Sequence, residues 1–140
     1  MHEVANSTQQ FVVHLGGRRG VTPEQVRALE RGLADYAQRH DLALDARHGA
    51  IVVTSADREL TASDQVELID WLIDQPAVCM LSLGPITNGD PAVERPAALL
   101  MVNVLDLSVI GVTLLYRAGS LCPELYLQIL RDSARPVVLH

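Results

Sequence analysis

The stretch from Ala97 to Tyr116, AALLMVNVLDLSVIGVTLLY, constrains the fold more than any other part of the chain. It is long enough to cross a bilayer. It therefore either enters a membrane or has to be covered by protein. Asn103, Asp106 and Ser108 lie in its middle, and a central Asp costs about 2.5–3.5 kcal/mol on the insertion scale. No cationic cluster flanks the stretch, and it is rich in Val and Ile. It reads as two buried strands, Ala97–Leu105 and Val109–Arg117, joined near Leu105–Ser108, with no membrane contact expected. Such a pair is apolar on both alternating faces, and strands of that kind are normally covered on both sides. One helix, from about Pro123 to Ala134, is too little cover. A homodimer is expected, most simply two-fold, with Val112 and Leu114 as the positions that separate core from interface.

Upstream, local signals set the element order. Phe11–Leu15 is a short apolar run that ends in Gly16-Gly17-Arg18-Arg19-Gly20, a strand followed by a loop. Thr22 can cap a helix, Pro23 suits its first position, and Gln25 can reach back as a capping box. Val26, Leu29, Leu33 and Tyr36 then mark one face of a helix running to about His40. Leu42–Asp45 and Ala50–Thr54 read as strands that meet near His48-Gly49. Thr61 opens a second helix, with a buried stripe of Val66, Ile69, Leu72 and Ile73, and Pro76 ends it. Val78–Leu83 is the next strand, stopped by Gly84-Pro85. Strand, helix, strand, strand, helix, strand is the ferredoxin-like split βαβ order, βαββαβ. After a loop over Asn88–Pro96 comes a strand, strand, helix, strand extension (ββαβ) whose last strand is Pro136–Leu139. The fold class is α+β. Residues 1–140 are expected to form a single domain: a flexible N-terminus over 1–10, the βαββαβ module over 11–87, and the extension over 97–140. That extension could join the first sheet or form a small sheet of its own.

Composition narrows the chemistry. All 11 cationic residues are arginines, so no lysine is present for a Schiff base or a phosphate loop. The net charge of -6 argues against broad DNA binding. Cys79 and Cys122 are too few for a disulfide scaffold. The polar start, Met1–Gln10, does not resemble a signal peptide, and a cytoplasmic setting is expected.

No catalytic set is recognisable, and no cofactor or metal is expected. The best candidate anion site is Gly16, Gly17, Arg18, Arg19, Gly20 and Thr22. There glycines allow close backbone approach, arginines can grip phosphate, and free helix N–H groups favour anions. A flexible solvated loop is the plainer reading. His40, Asp41, Asp45 and His48 cluster in sequence, but without metal-ligand spacing they read as polar residues around a turn. Cys122 precedes Pro123, where the helix dipole would make it a reactive thiol; a buried small apolar residue is the alternative. Asp64, Glu67, Asp70 and Asp74 fall near one face of the second helix. From Asp57 to Asp74 there are six acids and one arginine. The stripe reads as a solvated face or as a docking surface for a basic partner. From Arg18 to Arg39 the balance reverses, with five arginines and three acids.

Residues 11 to about 87 resemble the small bacterial YggL-type family, described as binding the large ribosomal subunit. The likeness rests on Phe11-Val12-Val13, Gly20-Val21-Thr22-Pro23-Glu24-Gln25-Val26, Asp41-Leu42-Ala43-Leu44-Asp45, Leu60-Thr61 and Asp70-Trp71-Leu72. The family's basic N-terminal segment is missing here, and the part from Pro96 has no counterpart. The resemblance implies a fold for the first part and a ribosome-associated role, and it brings no catalytic residues. Taken together, a non-catalytic binding or regulatory protein acting through protein or ribonucleoprotein contacts is expected. A small ligand-binding domain or enzyme using the Gly-Arg loop and Cys122, and an inhibitor or immunity-type protein using the acidic helix, stay open.

Overall fold

The computed structural model describes residues 9–47, 50–55, 58–88 and 100–133. Along them run β1 (Gln9–Gly17), α1 (Pro23–His40), β2 (Ala43–Arg47), β3 (Ala50–Thr54) and α2 (Ala62–Ile73). They are followed by β4 (Val78–Leu83), β5 (Thr87–Asn88), β6 (Leu100–Asn103), α3 (Leu107–Arg117) and α4 (Pro123–Ser133).

The helix ends follow from side-chain chemistry. Thr22 Oγ1 accepts the Gln25 N–H at 3.1 Å, and Gln25 Oε1 accepts the Thr22 N–H at 3.0 Å. Two donors that the first turn would leave unpaired are satisfied reciprocally. Asp41 closes α1 in the left-handed region at φ 57°, a conformation that Asp tolerates better than most residues. At α2, Asp64 Oδ2 reaches back to the Thr61 N–H at 2.8 Å.

The strands form one antiparallel six-stranded sheet in the order β2-β3-β1-β4-β6, with β5 paired to the start of β1. β1 and β2 are separated by β3, and β3 and β4 by β1, so each helical crossover leaves a gap that another strand fills. Strand alternation then divides the sheet faces. Phe11, Val13, Ile51, Val53, Leu81, Leu83 and Val102 point into a core to which all four helices contribute. The other face carries a separate small cluster, Val12, Ala50 and Val52. α1 approaches α2 at Gly32, where a Cβ would lie 2.6 Å from Trp71 Cζ2.

The extension departs from expectation. β6 joins the first sheet by pairing with β4, Leu81 opposite Val102. Val109–Arg117, read above as a strand, is instead the helix α3. Asp106 caps it, accepting from the Ser108 N–H at 2.9 Å and the Ser108 hydroxyl at 2.7 Å. Gly119 follows its end at φ 82°, the left-handed position that glycine occupies after a helix. The run of β-branched residues favours a strand only weakly, and caps plus tertiary packing override it. Among the described residues the extension is therefore strand, helix, helix rather than ββαβ; Pro136–Leu139 and Ala97–Leu99 lie outside them. No helix among the described residues is long and apolar enough to cross a membrane.

Candidate functional site

α3 is apolar on two opposite faces, with Ser108 and Arg117 on the flanks between them. At 3.6 residues per turn, Val109, Val112, Thr113 and Tyr116 fall on one face. That face is turned inward: Val109, Val112 and Thr113 are buried, and Tyr116 packs at 4.9 Å on the ring of Tyr126 from α4. Thr113 Oγ1 and the Tyr126 hydroxyl share a buried hydrogen bond of 2.7 Å. The opposite face carries Leu107, Ile110, Gly111, Leu114 and Leu115. Leu107 is 82% exposed, Leu114 58%, Leu115 51% and Ile110 38%. A helix that is hydrophobic on opposite faces is ordinarily buried on both. Among the described residues, α3 is covered on one side only. Gly111 lies in the open face, where a Cβ would meet no described residue within 4 Å. A glycine inside a helix costs about 1 kcal/mol relative to alanine, and no contact within the described chain offsets it. Gly32 differs, because Trp71 fills its space. Met101 and Leu105, just before α3, are also more than half exposed.

The acidic stripe has found partners within the chain. Glu67 accepts from the Tyr116 hydroxyl at 2.6 Å. Arg117 donates through Nε to Asp70 and through Nη2 to Asp74 at 2.9 Å and to the Asp70 carbonyl at 3.1 Å. Asp64 is paired with Arg58 at 2.9 Å. Burial alone would raise the Asp64 carboxyl, but bonds from Arg58 and Thr61 outweigh it and hold it below its ordinary range. Hence the stripe's basic partner is in part the end of α3, which it clamps onto α2. Burial pushes the Tyr116 phenol well above its ordinary value, and the bond to Glu67 adds to that. Tyr36 is raised first by burial and then by the nearby charges of Glu67, Asp64 and Asp70. Its ring stacks on His40 at 4.0 Å and leans on Trp71 at 5.7 Å. Three of the five aromatic rings involved (Tyr36, Tyr116 and Tyr126) are thus tyrosines on the helices packed around α2.

The other sequence candidates lie on other elements or between them. Gly16 and Gly17 belong to β1, not to a loop. Arg18 donates its N–H to the Ala77 carbonyl at 3.2 Å and its Nε to the Val78 carbonyl at 3.3 Å. Arg19 is exposed, and Gly20 adopts φ 77°. Thr22 and Gln25 occupy one another at the helix start, which leaves fewer donors for an anion than the sequence suggests. Cys122 is exposed, and its carbonyl accepts the Tyr126 N–H at 3.0 Å, so it stands at the start of α4. Cys79 is half-buried on β4. His40 and Asp41 are spent on the stacking and the helix end, His48 lies outside the described residues, and no metal-holding group of three exists among those described. An open groove of about 150 Å³ between α1 and β2 is lined by Leu33, Ala37, Leu44 and Ile51, smaller than the ~300–1,000 Å³ usual for ligand pockets.

Sequence reasoning singled out Leu114 but missed Leu107, Ile110 and Gly111 as a set, because the segment was read with a period of two. The available signal was Asp106 before the run and Gly119 after it, a start and a stop at helical distance. No family model, curated protein or solved structure matches the chain.

Proposed function

We propose that the protein is a non-catalytic binding protein that works through protein or ribonucleoprotein contacts, with the outer face of α3 as its contact surface. The observation that carries this reading is the helix apolar on both sides but covered on one. Each large apolar side chain left in water forgoes roughly 1.5–3 kcal/mol of burial, and monomeric proteins seldom expose such residues contiguously without a use for them. The pairing of Asp64, Glu67, Asp70 and Asp74 with Arg58, Tyr116 and Arg117 favours this surface over the acidic helix as a docking site. The strand order β2-β3-β1-β4, with helices after β1 and β3, supports the ferredoxin-like reading of the first part. The resemblance to the YggL-type family names the first partner to try, and the two free cysteines fit a cytoplasmic setting.

The test is co-sedimentation with purified large ribosomal subunits, run with the wild type and with Leu114→Asp. Pelleting of the wild type that the variant loses supports the reading and the surface together. Equal pelleting of both moves the contact elsewhere on the molecule. If neither pellets, and affinity capture yields nothing that Leu114→Asp fails to bind, the reading is wrong.

A further inference from the structure

We propose that the outer face of α3 binds the same face of a second copy of this chain, with the two α3 helices antiparallel and crossing at Gly111 about a two-fold axis. The inference rests on the reading of that face as the contact surface, and it names the occupant.

Four observations favour a second copy. First, the only charge on α3 is Arg117 at the edge of this face, and it is spent on Asp70 and Asp74, so the face itself offers nothing by which a charged partner would be recognised. The chain's net charge of -6 also opposes an anionic lipid surface. Second, the face is self-complementary about its glycine. Leu107, Gly111 and Leu115 form one ridge at intervals of four, and Ile110, Leu114 and Ala118 form the next. A two-fold axis at Gly111 sets Leu107 of one copy against Leu115 of the other and lets the ridges interdigitate. Antiparallel helices also place the positive end of each dipole beside the negative end of its mate. Third, Gly111 has no packing role among the described residues, while a crossing helix would need the space a side chain there would fill. Fourth, the area suits a modest dimer. The exposures of Leu107, Ile110, Leu114 and Leu115 correspond to on the order of 400 Å² per copy, about half of what each partner gives to a standard interface. That predicts association on the order of tens of micromolar rather than nanomolar.

Sedimentation equilibrium of the full chain from about 5 to 500 µM, at low and at high salt, tests this. The weight-average mass should rise from 15.3 kDa toward twice that value. It should rise further in high salt, because the contact is apolar and the two copies repel through their like net charge. Leu114→Asp should stay at one copy throughout while keeping the wild-type circular dichroism spectrum. Gly111→Ala should melt at a higher temperature as a monomer yet self-associate at least tenfold more weakly. A mass fixed at 15.3 kDa at every concentration overturns the proposal, and so does a dimer that both variants leave intact. A dimer weakened by Leu114→Asp but not by Gly111→Ala overturns the crossing point. Flotation of the wild type, but not of Leu114→Asp, with zwitterionic phosphatidylcholine vesicles would make a bilayer the occupant. Because the readout is mass, a monomer that still pellets with ribosomes sinks this inference alone, whereas a dimer that binds no ribosome sinks only the ribosomal role.

Discussion

Replacing Gly32 with alanine tests how α1 is seated on α2. In an exposed helix the change would stabilise the chain by about 1 kcal/mol, since alanine has the better intrinsic propensity. Here the new Cβ would lie 2.6 Å from Trp71 Cζ2 and 2.9 Å from Cη2. Carbon atoms at rest stand about 3.5–4.0 Å apart, so the indole or the helix has to move by about 1 Å. The indole is a rigid ring with Tyr36 leaning on it at 5.7 Å, and neither can yield without disturbing the other. Overpacking of this kind costs typically 1–3 kcal/mol and outweighs the propensity gain at most of that range. The expected net loss is about 1 kcal/mol, which lowers Tm by about 3–5 °C for a chain of this size. Urea unfolding followed by far-ultraviolet circular dichroism measures it without using Trp71 as the reporter. Trp71→Leu in the Gly32→Ala background should recover part of the loss, with a coupling of about 0.5–2 kcal/mol. Gly111→Ala, measured at a concentration where the chain is monomeric, is the control and should be stabilising. If Gly32→Ala is as stable as the wild type, or the two changes are simply additive, the close approach of α1 to Trp71 is not what holds these helices together.

Val112 is 6% exposed and Leu114 58%, so Val112→Asp should lose the folded circular dichroism signal, while Leu114→Asp should keep it; a buried unpaired carboxylate costs several kcal/mol and an exposed one little. The Tyr36 and Tyr116 phenols are raised above their ordinary value in the folded chain, which therefore holds these protons more tightly than the unfolded chain does. Their stabilisation is complete below about pH 10 and drains as the pH rises past it, so the urea midpoint should be lower at pH 11 than at pH 9, and less so in Tyr116→Phe. An equal drop in Tyr116→Phe would remove Tyr116 from the account. Cys122 is exposed and Cys79 half-buried; under native conditions an alkylating reagent should modify Cys122 first, and labelling of both at one rate would contradict the placement of β4.

Most elements that announce themselves by local chemistry were legible in the chain, although α3, with Asp106 before it and Gly119 after it, was not. Thr22, Pro23 and Gln25 marked the start of α1, Thr61 and Asp64 that of α2, and Gly84-Pro85 the end of β4, because caps and stops act within a few residues of themselves. The buried stripe of Val66, Ile69 and Leu72 was legible too, since a helix with one wet face must repeat with its own period. α3 has no such stripe: its inner Val109 and Val112 and its outer Leu107, Ile110 and Leu114 are alike in hydrophobicity, so no periodicity separates helix from strand. What decided it was Tyr126 and the underlying core, which cover one side of the segment and reward the helix that fits there. The acidic stripe was equally undetermined. Four carboxylates on one helix face are the same in sequence whether water, a partner or the chain itself meets them. Only the fold brings Tyr116 and Arg117 across more than forty residues to Glu67, Asp70 and Asp74. An electrostatic contact depends on distance in space, and for residues so far apart in the chain that distance exists only once the sheet, α2 and α4 have been assembled.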